Sequence, residues 1–502
     1  MRVLLISSNL SSQFHAILPN GVVSLSAYLK QHGKEVKVCH MESRLHFRTL
    51  RKTLREYEPH VVGISANAPE IRYVPVFAAI SKRIHPDVPV LAGGVHASLV
   101  PETFLEIDGI DAVCLGEGEE PLLEYVNKLE ASSNVTDTRN FWFKNDGEII
   151  KNEIGPFIQD LDALPFMDRE AINYKRTIFL NSNYITTIAG RGCAGNCTFC
   201  ANPRLRRVGK GKWVRIRSVD NVLEDFDQLR RKFHFSYVNF RDDNLCAHRE
   251  WLMEFCEKYP DKFSWPFDCF SRCDTLDDEM IQVLAKSGCR HVFLGLDTGN
   301  DYIRNKVLLK GTKNETLVEV AEKLNRHGIK AVISNIIGLP YETPEKFKET
   351  IEINRQIHKN QVIISSAYGA APKLWVFNPW PGTPVYDLCK DEGWLREIPR
   401  SHRVYRETYI EMPEFTPRQI YYYYSMFRYL VYKDSHPVFA LLFRFYDHRI
   451  TRFFSELVPG FIFCYIRHFF SEVSLRLKPK NIGSKSRAGQ KSEVKKTTAT
   501  AA

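Results

Sequence analysis

Cys193, Cys197 and Cys200 stand four and three residues apart in the run Gly190-Arg-Gly-Cys193-Ala-Gly-Asn-Cys197-Thr-Phe-Cys200. Thiolates so closely spaced can converge from one loop, and glycines at 190, 192 and 195 allow the tight backbone that such a loop needs. Three thiolates favour zinc or an iron–sulfur cluster. Zinc needs a fourth ligand at comparable spacing, and no paired Cys-x-x-Cys or His-x-x-x-His follows. The other cysteines (39, 114, 246, 256, 269, 273, 289, 389 and 464) are scattered and read as small core residues, with 269 and 273 near strand ends.

The Cys-x-x-x-Cys-x-aromatic-Cys pattern, directly after an expected strand, resembles the radical S-adenosylmethionine (SAM) superfamily. The resemblance implies a [4Fe–4S] cluster on Cys193, Cys197 and Cys200, with the fourth iron left open for the amino and carboxylate groups of SAM. It also implies reductive cleavage of SAM to a 5′-deoxyadenosyl radical that abstracts hydrogen from a substrate. Phe199 matches the family's aromatic position near the adenine. Arg241-Asp-Asp-Asn244 stands where the family has a Gly-Gly-Glu-like stretch, so Asp242 and Asp243 are expected to accept from the SAM ammonium. Arg272, in Phe270-Ser-Arg272, is placed to pair with the SAM carboxylate. Gly295-Leu-Asp-Thr-Gly299 is similar to the family's Gly-Ile-Glu-Ser-Gly and puts Asp297 at the ribose. Asn335-Ile-Ile-Gly-Leu-Pro340 with Glu342 resembles Gly-Leu-Pro-Gly-Glu and puts Gly338 at the cofactor, and Pro379-Trp-Pro-Gly-Thr-Pro384 resembles the closing Pro-Gly-Thr-Pro segment.

Two series of βα elements have to hold these residues. In the first, strands are expected at 3–7, 35–39, 61–65, 88–92 and 112–115, with helices at 21–32, 47–57, 74–84, 101–107 and 121–129. That alternation demands parallel pairing with right-handed crossovers, hence a doubly wound sheet with ligands beyond the carboxyl ends of its strands. Ser65, Gly93-Gly94 and Gly116-Glu-Gly-Glu119 fall at those ends. This domain is similar to the cobalamin (B12)-binding domain of the radical SAM class that includes B12-dependent methylases, magnesium-protoporphyrin monomethyl ester oxidative cyclases and hopanoid methylases. The likeness covers about residues 1–395. It implies that Ser65 meets the nucleotide tail of cobalamin, that Gly93 and Gly94 allow a flat ligand to approach, and that Glu117 belongs to the cofactor site. The Asp-x-His-x-x-Gly motif of B12 mutases is absent, the first 60 residues containing no Asp.

The second series has strands expected at 184–189, 236–240, 264–269, 291–296, 331–336 and 374–377, with helices at 218–233, 249–259, 277–286 and 316–327. Six units make a partial (βα)6 barrel whose chemistry sits at the strand carboxyl ends. The division expected is an α/β chain with a cobalamin-binding-like domain at 1–130 and a linker with a hairpin around Asn145-Asp-Gly147 at 131–175. The partial barrel follows at 176–398, then an aromatic helical region at 399–478 (helices at 416–432, 437–454 and 461–475) and a disordered basic tail at 479–502.

The net charge of +10 is concentrated at the C-terminus: from Arg476 on, eight basic residues face Glu493 alone. The remaining body is close to neutral and implies no nucleic-acid groove. No signal peptide is read at the N-terminus, and the apolar run 457–466 is too short to span a bilayer. Twelve cysteines without export signals point to a reducing cytoplasm, with peripheral contact at the inner face of the membrane through the C-terminal helices and tail. The expected function is cobalamin-dependent methylation of an unactivated carbon in a small-molecule or lipid-like substrate, with electrons from a flavodoxin or ferredoxin. B12-independent or oxidative chemistry (cyclisation or C–C coupling on a lipid or tetrapyrrole) and a non-catalytic SAM or cobalamin sensor are the alternatives.

Overall fold

The computed structural model describes residues 1–11, 18–42, 46–145, 147–180, 183–363, 371–397 and 407–447. The first sheet holds β1 (Arg2–Ser8), β2 (Glu35–Met41), β3 (Val61–Ser65), β4 (Val90–Gly93), β5 (Ala112–Cys114), β6 (Phe141–Asn145) and β7 (Glu148–Lys151), in the order β2-β1-β3-β4-β5-β6-β7. The first five strands are parallel. Helices cover both faces of β1, whose Val3–Ile6 are wholly buried, which explains its continuous apolar run. At the edge, β2 exposes Glu35 and Lys37, charges that discourage pairing with another chain.

The hairpin expected inside a linker is part of this sheet. Its first strand pairs antiparallel with β5, Val113 facing Trp142, and Phe141 and Phe143 pack with Tyr125 in the domain core. A five-residue helix, Val95–Leu99, follows Gly94 where the sequence reading had only a loop.

The second series contributes β8 (Tyr184–Thr187), a short antiparallel pair of β9 (Gly190–Arg191) with β10 (Arg215–Ile216), then β11 (Tyr237–Phe240), β12 (Phe267–Ser271), β13 (Cys289–Asp297), β14 (Lys330–Ile337) and β15 (Lys373–Val376). Apart from the β9–β10 pair, these strands form one parallel six-stranded sheet, β15-β14-β13-β12-β11-β8. Its alternation sorts side chains: Phe267 and Cys269 on β12 join the core under the helices, while Phe270 stacks on Phe293 at 4.7 Å in a separate small cluster. Cys246, Cys256, Cys269, Cys273 and Cys289 are all buried, as expected for small core residues. Helix starts carry the caps their sequences announce, Ser218 accepting from Asn221 N, Asp277 from Met280 N and Thr343 from Lys346 N.

The helix Pro417–Tyr432 opens with a Thr416/Gln419 capping box and packs with Pro437–Asp447 on the barrel end, burying Ile420, Phe427, Tyr432 and Phe443 in one core with Ile337 and Phe347. The helix expected at 461–475, the end of that expected at 437–454 and the tail lie outside the described residues.

Candidate active site

The thiol loop follows β9. A Cβ on Gly190 would stand 2.6 Å from the Arg215 carbonyl oxygen, and one on Gly192 (φ +90°) 2.5 Å from that of Trp213. Gly190 therefore makes room for the segment beside it rather than for the curvature of the loop, whereas Gly192 does both, its positive φ being the tight backbone expected of it. Gly195 does sit among the sulfurs: its N–H donates to Cys193 Sγ at 3.3 Å, and its Cβ position is 3.9 Å from Cys197 Sγ. Asn202 Nδ2 donates to Cys200 Sγ at 3.5 Å, and Arg272 Nη1 lies 4.0 Å from Cys197 Sγ. Thr198 pins the loop from below, its Oγ1 donating to the Val307 carbonyl and its N–H to that of Leu308.

Burial pushes the Cys200 thiol up to about 11 and raises that of Cys197, so a bound metal is what would deprotonate them. The donor set fits an iron–sulfur cluster: three thiols on one loop, with N–H groups and a guanidinium turned to the sulfurs.

Around this loop the expected SAM contacts are committed to partners within the chain. Asp242 accepts from the Ala189 and Gly190 N–H groups, the latter at 2.6 Å, and so fixes the backbone entering the loop. Burial carries its pKa to about 7 against those hydrogen bonds. Asp243 accepts from Asn202 Nδ2 at 3.1 Å. Arg272 pairs bidentately with Asp274, at 2.9 and 2.6 Å, rather than presenting a free fork to a SAM carboxylate, and Nη2 also donates to the Lys310 carbonyl. Asp297, at φ +63°, is buried against Lys310, whose ammonium also donates to the Gly295 carbonyl at 2.6 Å. Phe199 packs on the core at the barrel end. Gly338 (φ +83°) makes a turn, donating its N–H to Glu342 Oε2 at 2.7 Å, with Ile420 3.0 Å from where its Cβ would be.

On the facing domain, Ser65 ends β3 and Gly93 ends β4. A Cβ on Gly93 would meet nothing nearer than Cys114 at 3.8 Å, so this edge is open to a ligand. Gly94 serves another purpose: at φ +100° its Cβ would stand 2.8 Å from the Ala66 carbonyl oxygen, so it lets the loops after β3 and β4 pass each other. Glu117 is engaged on both oxygens. Oε1 accepts from Arg191 and Arg215 at 2.9 Å each, and Oε2 accepts from Arg215 at 2.9 Å and from the Ile158 N–H at 2.8 Å. Burial acts to raise its pKa; the Arg215 hydrogen bond and the two guanidinium charges outweigh that and hold it below the usual glutamate value. Glu119 adds a second bond to Arg191 at 2.6 Å and accepts from Ser24 Oγ. The Gly116-Glu-Gly-Glu119 turn thus grips the strands that carry the thiol loop. The sequence reading missed Arg191 and Asn202, which stand in or beside the cysteine run but show no partner there, and Arg215 and Lys310, which only the fold brings to the site.

Between the two sets of strand ends lies a cavity of about 630 Å³. Ser65, Gly93, Gly94 and Glu117 line it from one side, and Cys200, Asp242 and Asp243 from the other. Cys193, Cys197, Phe199, Arg272, Asp297 and Gly338 lie outside its lining. The hydroxyl of Ser65 and the open edge at Gly93 fit a bulky flat ligand lying across the strand ends.

Residues 187–353 match the Radical SAM superfamily and residues 12–126 the B12 binding domain. An uncharacterized methyltransferase of Pyrococcus horikoshii is 23% identical over 406 residues, 80% of this chain and 85% of its own length. The anaerobic magnesium-protoporphyrin IX monomethyl ester cyclase of Rubrivivax gelatinosus is 25% identical over 410 residues, 78% of this chain and 70% of the cyclase. Among solved structures, the radical SAM methyltransferase TsrM of Kitasatospora setae, with cobalamin and a [4Fe–4S] cluster bound, superposes with a TM-score of 0.62 at 17% identity, covering 79% of this chain and 76% of that one. The two-domain fold is shared.

Proposed function

We propose that this chain, a radical SAM enzyme with an N-terminal B12-binding domain, methylates an unactivated carbon of a small-molecule substrate in a cobalamin-dependent reaction. The observation that carries the reading is the shared cavity, with Cys200 on one wall and Ser65 and Gly93 on the other. When bound, the cluster supplies the electron that splits SAM into a hydrogen-abstracting radical, and cobalamin supplies the methyl group.

In this reading Cys193, Cys197 and Cys200 hold the cluster. Asp242 and Thr198 fix the loop's entry and base, while Asn202, Gly195 N–H and Arg272 set the charge around the sulfurs. Asp243 and Asp297 are the carboxylates that would meet the SAM ammonium and ribose, each by sharing the partner it now has, Asn202 and Lys310 respectively. Phe199 and Gly338 flank the adenine end. Ser65, Gly93 and Gly94 receive the corrinoid, with Glu117 holding the two domains in register. In this reading the first domain runs on through β7, past the boundary expected near 130, and further boundaries stand near 175, 398 and 478; an electron donor such as flavodoxin or ferredoxin and contact with a membrane surface belong to it as well. Among the described residues no helix is long and apolar enough to cross a membrane.

The relationship to the cyclase favours a second reading, oxidative or B12-independent radical chemistry on a tetrapyrrole or lipid. Corrinoid content separates the two. Protein purified anaerobically from B12-supplemented cells is expected to carry about one corrinoid per chain, and a Gly93→Trp variant, which fills the open edge, to carry none. Wild-type protein without corrinoid would favour the second reading.

A further inference from the structure

From residue 171 to residue 219 the chain carries ten Lys and Arg and no Asp or Glu, and the three cysteines stand inside that run. The fold pairs the inner charges with acids brought from elsewhere: Arg191 and Arg215 with Glu117, Arg217 with Asp225. At the rim Arg204 pairs with Asp387. Arg206 and Arg207 have no acid partner among the described residues. Arg206 instead donates to the cysteine loop itself, to the Ala194 carbonyl at 3.3 Å and to Asn196 Oδ1 at 2.7 Å.

Ala194 and Asn196 are exposed, while the cysteines beside them are half-buried, so the loop shows an outer edge to solvent. Thr198 ties the loop to the carbonyls of Val307 and Leu308, so the turn that carries exposed Lys306 and half-exposed Leu309 lies against it. Lys306 too has no acid partner among the described residues. The exposed acid Asp274 is already neutralised by Arg272. The outer edge is therefore bordered by uncompensated positive charge. A cluster that splits SAM must be given an electron from outside the chain. In the reading above SAM and the corrinoid take the cavity side, which leaves this edge for the donor. Positive charge around it suits an acidic partner, because complementary charge speeds encounter and fixes orientation.

We infer that Arg206, Arg207 and Lys306, around the exposed edge of the cysteine loop, form the docking face for an acidic one-electron carrier protein of the flavodoxin class. In the step it serves, the carrier's reduced flavin loses one electron and the cluster gains it; no bond forms or breaks. The inference rests on the cluster reading under the proposed function and deepens it by placing the donor.

The test compares SAM consumption by full-length, reconstituted protein driven by dithionite with that driven by an acidic flavodoxin kept reduced by its NADPH-dependent reductase. The variant Arg207→Glu/Lys306→Glu changes two exposed side chains and leaves Arg206 on the loop. Its kcat/KM for flavodoxin is expected to fall by at least about tenfold at low salt. The gap from wild type should close at about 0.5 M salt, and the dithionite-driven rate should be unchanged. Lys262→Glu/Lys286→Glu makes the same change of charge at the ends of the helices that lead into β12 and β13, the opposite end of the barrel from the cysteine loop, and should behave as wild type. Equal flavodoxin kinetics in wild type and the Arg207/Lys306 variant, an equal loss in the Lys262/Lys286 variant, or a wild type that dithionite drives and flavodoxin does not, overturns the docking face and leaves the cluster reading standing. No SAM consumption with either reductant overturns the cluster reading, and the docking face with it.

Discussion

Glu117 shows how far a single residue's role depends on partners that sequence order hides. Its place in a Gly-Glu-Gly-Glu turn at a strand end was legible. Its partners were not, because Arg191 and Arg215 lie 74 and 98 residues away and sit in another domain. The same holds for Asp297, whose motif was legible but whose pairing with Lys310 depends on a turn of the chain after β13. The three cysteines were readable because their chemistry is local: ligands for one loop must be close in sequence. Replacing Glu117 with Gln leaves Arg215, whose side chain is 2% exposed, without its charge partner. The denaturant midpoint is expected to fall by the equivalent of about 2–4 kcal/mol, whereas the exposed neighbour Glu120→Gln should shift it by less than about 0.5 kcal/mol. Because the folded-state pKa of Glu117 is depressed, its contribution is present above the ordinary glutamate value and is lost as pH falls through the folded one. An unchanged midpoint in the Gln variant would show that the clamp is ornamental.

At the scale of elements, strands and helices of the two βα series were readable to within a few residues, since apolar periodicity is a local signal. What escaped was pairing, short structure and one long helix, Pro344–His358, which no expected element covers. The β6–β7 hairpin announced itself through its Asp-Gly turn, but nothing local says that β6 adds antiparallel to β5. The helix Val95–Leu99 is too short to show a period. The turn after β14 offers an element-scale prediction. Burial raises the pKa of Glu342 from 4.5 to about 8, while its Oε2 accepts from the Gly338 and Leu339 N–H groups and its Oε1 has no partner among the described residues. A carboxyl whose folded pKa is raised favours the fold while protonated; its contribution is complete below about pH 4.5 and is lost as pH rises through about 8. Glu342→Gln keeps an acceptor for both N–H groups and removes the charge. Thermal melts should show the variant losing less stability than wild type between pH 5 and about pH 8. Parallel pH profiles for the two proteins would contradict that account.

For the molecule as a whole, the order of the domains and the two cofactor classes were legible, because each domain carries its own motifs. The cavity between them was not, since it exists only once Glu117 and Glu119 have drawn the cluster-bearing strands against the first sheet. The helical end was read as aromatic, but which rings would pack on the barrel and which would face outward depended on the fold: Phe427 and Phe443 are buried and Phe445 is exposed. The account's central claim is that three thiols hold a cluster with one iron left open to SAM. Its most direct test is anaerobic reconstitution with iron and sulfide, followed by reduction in the presence of SAM and chromatography of the products. Wild-type protein is predicted to bind about four irons per chain and to release 5′-deoxyadenosine or, where methyl transfer consumes SAM, S-adenosylhomocysteine beside it, and Cys197→Ala to do neither. Wild-type protein that takes up zinc in place of iron, or that holds the cluster and leaves SAM intact, would contradict it.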